Sequence, residues 1–216
     1  GSFFDSLKRA LFRRLIDLYD INESNWDQII ELAGRVFLNS FNKLRSARTF
    51  DSWVKDTLLN PCGTSKSCDS FDQFIPIFQK LDFDYYSSSP LWDLRNSHKW
   101  YKNTSTISLK EEYLKNIPFF ISGSKDDQIT SECIKLISSM TGFFLDYSSG
   151  LNEFNDIQNL KRLNPSSWQY ANEVNKLLDL FFRDEPEHII SFYTQSILYD
   201  MWGMPSHYVC LKKRSN

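Results

Sequence analysis

Four side chains in two turn-rich parts of the chain have the chemistry needed to bind a metal ion. Cys62 and Cys68 flank five residues in a stretch rich in Ser, Pro and Gly, and His207 and Cys210 flank two residues further along. Thiolate sulfur and imidazole nitrogen are the usual ligands of structural zinc, but the first gap exceeds the common spacing of about two to four residues. Zinc therefore stays an alternative, and we expect no bound metal or other cofactor.

General acid–base catalysis is the second chemistry for which side chains are present. His188 follows Glu185-Pro186-Glu187, and an imidazole beside a carboxylate can accept a proton. Catalytic signatures such as a Gly-rich phosphate loop, His-Glu-x-x-His or Gly-x-Ser-x-Gly do not occur in the sequence. We expect a protein that is not an enzyme, with an enzyme assembled from scattered acidic residues and His188 as the alternative.

Composition indicates a well-packed helical protein. The 216 residues include 41% hydrophobic and 24% charged residues, with 18 Phe against only 7 Gly and 7 Pro. These proportions are ordinary for globular proteins, and the scarcity of helix breakers favours long helices. The length fits a single domain covering residues 1–216.

The net charge and the cysteine content limit the ligands and the cellular compartment that we expect. The formal net charge of −2 gives no basic field, so nucleic acid is not expected as a direct ligand. No apolar run is long enough to span a bilayer, so no membrane is expected as a partner. Cys133 lies on an apolar helix face and the four cysteines suggest no disulfide framework, which favours a reducing, intracellular setting. The basic residues 212–214 could form a short nuclear signal, so we expect a nuclear or cytoplasmic protein.

Helix signals recur along the chain. Apolar residues at helical spacing predict a first helix over 3–20, a capping-type start at Ser24 predicts a second, and Pro186 begins a final helix that reaches Trp202. The sequence predicts an all-α, compact multi-helix domain of about nine or ten helices, with no strands and no regular repeat.

An irregular, aromatic-rich connection at 82–107 interrupts the helical pattern. Aromatic side chains outside a helix stripe are typical interface anchors, which makes five of them candidate partner-binding residues. They are Tyr85, Tyr86, Trp92, Trp100 and Tyr101. The alternative, which a connection of this length favours, is that these rings fix the segment to the protein's own core.

The first helix is apolar around about two-thirds of its circumference. One line contains Phe4, Leu11 and Leu15, and a second contains Phe12, Ile16 and Tyr19. Such a helix is either central in the core or covered by another chain. We predict that the second line binds a partner in a homodimer, so that Ile16→Glu would give a folded monomer.

These features predict a non-catalytic protein–protein interaction domain, an adaptor or scaffold subunit that binds a peptide segment of a partner protein and also self-associates. The partner segment would be a helix or an extended peptide lying in a groove between amphipathic helices.

Overall fold

The computed structural model describes residues 3–44, 48–59, 71–89, 121–146, 168–181, 185–202 and 208–214, together with residues 111, 115, 119 and 163. The helices are α1 (Phe3–Leu18), α2 (Trp26–Phe41), α3 (Phe50–Trp53) continued by a π-helical stretch (Val54–Leu59), α4 (Phe71–Lys80), α5 (Asp127–Asp146), α6 (Ala171–Phe181) and α7 (Pro186–Gln195). The strands are β1 (Phe83–Ser89) and β2 (Tyr208–Lys213).

The described residues are mostly helical, which agrees with the all-α prediction at this level. The predicted count of nine or ten helices is not matched, because seven α-helices are delimited in these residues. The final helix is also shorter than predicted. It ends at Gln195, and Ser196 has an extended backbone with φ −81° and ψ 161°.

The prediction that the chain has no strands is wrong. β1 pairs with β2 in an antiparallel sheet, from Phe83 opposite Lys213 to Ser89 opposite Tyr208, with a bulge at Tyr86. The segment predicted to be an irregular connection therefore begins as a strand. Its partner lies more than a hundred residues away in the chain, so no hairpin turn marks the pairing in the sequence.

Helix α1 is central in the hydrophobic core. It packs against α5 and the π-helical stretch, and buried side chains lie around about two-thirds of its circumference. Even Arg14 is buried; its Nε donates to the carbonyl oxygen of Phe181 at 2.8 Å, and its Nη1 contacts Asp17 at 2.7 Å. Buried cations persist in a core when their hydrogen bonds are satisfied in this way.

An aromatic cluster joins α1, α2, α3 and α7. The ring of Phe37 is fully buried, with ring centroids of Phe12, Trp53 and Tyr193 at 5.9, 5.5 and 5.7 Å. All three pairs are edge-to-face, the arrangement that the charge distribution of aromatic rings favours. Phe37 therefore connects four elements at one point.

The 196–202 segment is fixed to α2 and α3 after α7 ends. The indole Nε1 of Trp202 donates to Ser40 Oγ at 2.8 Å, and the Trp202 ring lies 5.1 Å from the Trp53 ring. Lys43 forms an ion pair with Asp200 at 2.7 Å. These contacts hold in place the stretch of chain that leads towards β2.

Candidate binding surface

The predicted partner-binding residues of α1 do not form a surface in this fold. Phe12 and Ile16 are 0% and 1% exposed and belong to the chain's own core. The expectation that this side of α1 is left for a second chain is therefore corrected: α5, the π-helical stretch and the aromatic cluster surround the helix. The apolar arc of α1 was predicted correctly, but the residues that cover it belong to the same chain.

Tyr19, the third residue of that line, is part of a polar cluster at the surface. Its hydroxyl donates to Glu187 Oε1 at 2.6 Å, and Arg35 Nη2 donates to both carboxylate oxygens of Glu187 at 2.8 and 2.9 Å. The hydrogen bonds from Tyr19 and then from Arg35 hold the pKa of Glu187 below its usual range. The cluster links the end of α1 to α2 and the start of α7.

His188 lies beside this cluster on the first turn of α7. Its Nδ1 forms a close ion-pair contact with Glu185, and both side chains are more than half exposed. A general base works on a substrate that an enclosed site aligns with it. This open pair shows no such enclosure, so it adds no support to an enzymatic site.

Several candidate residues lie outside the described part of the chain. They are Cys62, Cys68, His207, Trp92, Trp100 and Tyr101. Of the four possible zinc ligands, only Cys210 is described, and it is exposed on β2. Within the described residues, no group of three or more His, Cys, Asp or Glu side chains is placed to hold a metal ion.

Lys8 is a buried cation on α1, although its position in a run of basic residues is typical of a solvated helix face. It is 1% exposed, its Nζ donates to the carbonyl oxygen of Met201, and Nζ lies 4.5 Å from the centroid of the Trp202 ring. Burial lowers the pKa of this ammonium group to about 8, although the charges of Asp5 and Asp200 act in the opposite direction. A lysine with a lowered pKa can act as a nucleophile. This one is enclosed by its own chain and fixes α1 to the 196–202 segment.

The pKa of Lys8 predicts a rise in stability with pH. In the window between about 8 and 10.5 the unfolded chain binds more protons at this position than the folded chain does. Unfolding therefore becomes harder as pH rises through the window, and the gain is lost as pH falls through about 8. Urea unfolding of the wild type and of Lys8→Met should show a wild-type-minus-variant difference that grows by about 2 kcal/mol from pH 7 to pH 10. A difference independent of pH would mean that water reaches Lys8 in solution.

An exposed apolar patch lies on α4 and β1. Phe74, Ile77 and Leu81 are 37%, 52% and 59% exposed, and Tyr86 on β1 is 51% exposed. The first three follow helical i, i+3 and i+7 spacing, which places them on one face at the end of α4. α4 packs against β1, so these exposed residues lie on two neighbouring elements.

The basic end of β2 lies next to this patch. The chain turns after α4 at Asp82, whose carbonyl oxygen accepts a 2.7 Å hydrogen bond from the backbone N–H of Arg214. The Arg214 guanidinium is neutralised by Asp84 through two hydrogen bonds of 2.8 Å. Lys212 and Lys213 are exposed opposite Asp84 and Phe83, at the same corner of the sheet.

Three exposed lysines, Lys80, Lys212 and Lys213, lie at this corner together with the carboxylates of Asp82 and Asp84. Among the residues that the structure describes, Lys80, Lys212 and Lys213 form no ion pair. Lys212 and Lys213 are successive residues of β2, so their side chains point to opposite faces of the sheet, and Lys212 shares its face with Asp84. We refer to the exposed apolar residues and the two remaining lysines as the α4–sheet surface, formed by Phe74, Ile77, Leu81, Tyr86, Lys80 and Lys213.

Sequence reasoning found this surface only in part. Tyr86 was predicted as a partner-binding residue, and Tyr85 lies next to it in β1, opposite Leu211. Ile77 and Leu81 were missed because α4 reads as an ordinary amphipathic helix. The available signal was the apolar character of neighbouring positions around the end of α4, which is broader than one core-facing stripe requires.

Within the described ranges, no helix combines the length and the apolar composition needed to cross a lipid bilayer. Comparisons of the chain with protein-family models, with curated proteins and with solved structures gave no match.

Proposed function

We propose that this chain is a non-catalytic protein-binding domain, an adaptor or scaffold subunit, and that a partner protein docks on the α4–sheet surface. The observation that carries the proposal is the exposure of Ile77 and Leu81, 52% and 59%, close to the exposed Phe74 in sequence and on an element that packs against the strand of Tyr86. Burying a side chain of this size completely is worth about 1.5–3 kcal/mol. A partner that covers both would gain a substantial part of that free energy.

The composition of the surface also supports a protein partner. An apolar centre with a charged rim is the usual anatomy of a protein interface, and Tyr is enriched among the residues that contribute most to binding. Here the exposed residues are aliphatic and aromatic, with Lys80 on α4 and Lys213 on β2 close to them in the fold. α4 and β1 are packed together, so the partner would meet a largely preformed surface.

The proposal includes an intracellular setting, nuclear or cytoplasmic. Cys133 and Cys210 are both free thiols, and Cys210 is exposed. Exposed thiols persist in reducing compartments and are readily oxidised outside them.

Site-specific photo-cross-linking in cells tests this function. A photoreactive phenylalanine analogue in place of Tyr86 should give one defined protein adduct, because the side chain lies inside the proposed interface. The same analogue at Ile197 is the matched control, since the two positions are 51% and 52% exposed. Adding Leu81→Glu should abolish the adduct from position 86, and should weaken binding of the purified partner by about ten-fold or more.

Two outcomes would contradict the proposed function. One is the absence of any discrete protein adduct from position 86. The other is the same set of adducts from positions 86 and 197, which would indicate collisions with abundant proteins and no preference for the α4–sheet surface.

A further inference from the structure

We propose that residues 199–202, the end of the 196–202 segment, act as a proton-sensitive latch over Lys8, which opens more readily when Lys8 is protonated than when it is neutral. The inference concerns a conformational device and is independent of the proposed binding function. It follows from three observations: what covers Lys8, how the segment is attached to the rest of the fold, and which charges surround the ammonium group.

The end of the 196–202 segment covers Lys8. The carbonyl oxygen of Met201 and the ring of Trp202, which both contact Nζ, belong to this segment. Met201 and Trp202 are half-buried, whereas Lys8 is 1% exposed, so the segment lies between the ammonium group and solvent. Moving these two residues outward would bring Nζ into water, where a charged amine is far more stable than in a protein interior.

Side-chain contacts with α2 attach the latch. Ser40 Oγ donates to the carbonyl oxygen of Tyr199 at 2.8 Å and accepts the hydrogen bond from Trp202 Nε1. The ion pair between Lys43 and Asp200 is more than half exposed on both sides, so it adds little to the stability of the closed form. The start of the segment is anchored differently, because Leu198 is fully buried. Short irregular segments held in this way open locally at a lower free energy than the whole fold.

The charges around Nζ do not compensate for its burial. Burial lowers the pKa of Lys8 to about 8, and the attraction of Asp5 and Asp200 is the smaller effect. Each of these carboxylates also acts on another cation, Asp5 on Arg9 and Asp200 on Lys43. The closed form therefore favours the neutral amine.

Other titratable groups of the neighbouring elements do not produce the same effect. Burial raises the pKa of the Tyr193 hydroxyl on α7 well above 10 and that of the Cys133 thiol on α5 to about 12. Exposing either group would favour loss of a proton, which is the opposite sign. The charged side chains described on α5 and the π-helical stretch, which both pack against α1, are exposed or half-buried. They are Lys55, Asp56, Asp127, Glu132 and Lys135.

The direction of the pH effect follows from the two states of Lys8. In the open form the amine is in water and has its ordinary pKa of 10.5, whereas in the closed form the pKa is about 8. The open form binds more protons between these values, so opening becomes harder as pH rises through about 8. Below that pH both forms are protonated and the latch opens most easily.

Opening of the latch would uncover aromatic surface. The Trp202 ring lies 5.1 Å from the Trp53 ring and 6.1 Å from the Phe41 ring, and both of these neighbours are 7% exposed. When Trp202 moves outward, a face of each ring becomes accessible to solvent. Protonation of Lys8 is thereby coupled to the exposure of an apolar site that the closed fold conceals.

Hydrogen exchange of the full chain, measured by mass spectrometry on peptides that contain residues 199–202, tests the inference. The backbone N–H groups of Tyr199 and Met201 donate to Ser196 and Leu198 in the closed form, so both are protected. After correction for the intrinsic pH dependence of exchange, their protection should rise about ten-fold from pH 7 to pH 9. Low urea should leave this exchange unchanged, because a local opening exposes little surface.

Two lysine variants separate the latch from its attachment. Lys8→Met should abolish the rise in protection, since an apolar side chain of similar length replaces the buried cation. Lys43→Met is the matched control. It removes the exposed ion pair with Asp200, so it should lower protection by no more than a few-fold at every pH and keep the rise. Circular dichroism checks that both variants are folded.

Three results would overturn the inference. Protection of Tyr199 and Met201 that does not change between pH 7 and pH 9 would show that Lys8 is not linked to opening. A rise that persists in Lys8→Met would assign it to another group. Exchange that accelerates in urea together with that of α6 would show that the segment opens only when the whole chain unfolds. The first and third results come from the wild type alone, so the test does not depend on the folding of a variant.

Discussion

Replacing Ile16 by glutamate is expected to unfold the chain. Ile16 is 1% exposed in the middle of α1, so the new carboxylate would lie in the core without a partner. Burying an unpaired charge costs several kcal/mol, which is comparable with the total stability of a typical domain, about 5–15 kcal/mol. Circular dichroism at neutral pH should show loss of most of the helical signal.

The same substitution at Ile197 is the control. Ile197 is 52% exposed, and Ile197→Glu should change the free energy of unfolding by no more than about 0.5 kcal/mol. A folded, monomeric Ile16→Glu variant from a dimeric wild type would contradict the central position of α1. That result would support the homodimer through α1 that the sequence alone predicts, and sedimentation velocity would detect the change from dimer to monomer.

Replacing Phe37 by alanine is expected to give the second large effect. The variant should lose about 3–5 kcal/mol of unfolding free energy, because the removed ring leaves a cavity where α1, α2, α3 and α7 meet. Edge-to-face contacts with Phe12, Trp53 and Tyr193 would be lost together. Urea unfolding measures this directly, and the thermal midpoint should fall by about 10 °C.

Phe74→Ala removes an identical set of atoms from an exposed position. Phe74 is 37% exposed on α4, so its loss should cost about 1 kcal/mol or less. If the two variants were equally stable, the aromatic cluster around Phe37 would not be closed in solution. If Phe74→Ala were the more damaging of the two, the α4–sheet surface would be covered by the chain itself.

The sequence predicted helices correctly where the residues of the helix itself carry the pattern that indicates it. The apolar spacing in α1 and α2 and the proline that begins α7 are local features, and the corresponding helices are present. The same pattern could not show which residues cover an apolar arc. The spacing of Phe12 and Ile16 is the same whether their neighbour is α5, the π-helical stretch or a second chain. Their assignment to a partner protein was wrong because the tertiary packing of this chain covers them.

The sheet and most of the candidate surface could not be predicted for a related reason. The pairing of Phe83 with Lys213 joins segments that are far apart in sequence, so no hairpin turn between them indicates the pairing. Ser196 ends α7 early through tertiary contacts of the 196–202 segment, including the hydrogen bond from Trp202 to Ser40. The exposure of Ile77 and Leu81 depends on how α4 sits on β1, which local pattern does not encode.

The central position of α1 also constrains when the protein can fold during its synthesis. Lys8 and Arg14 find their hydrogen-bond acceptors at Met201 and Phe181, 193 and 167 positions later in the chain. A nascent chain that stops short of those residues carries a helix whose buried cations lack their acceptors and whose apolar circumference is only partly covered. Folding with such long sequence separations is slow, and the uncovered intermediate is prone to aggregate. We therefore expect the core to close only after Met201 has been synthesised, with α1 held by a chaperone until then.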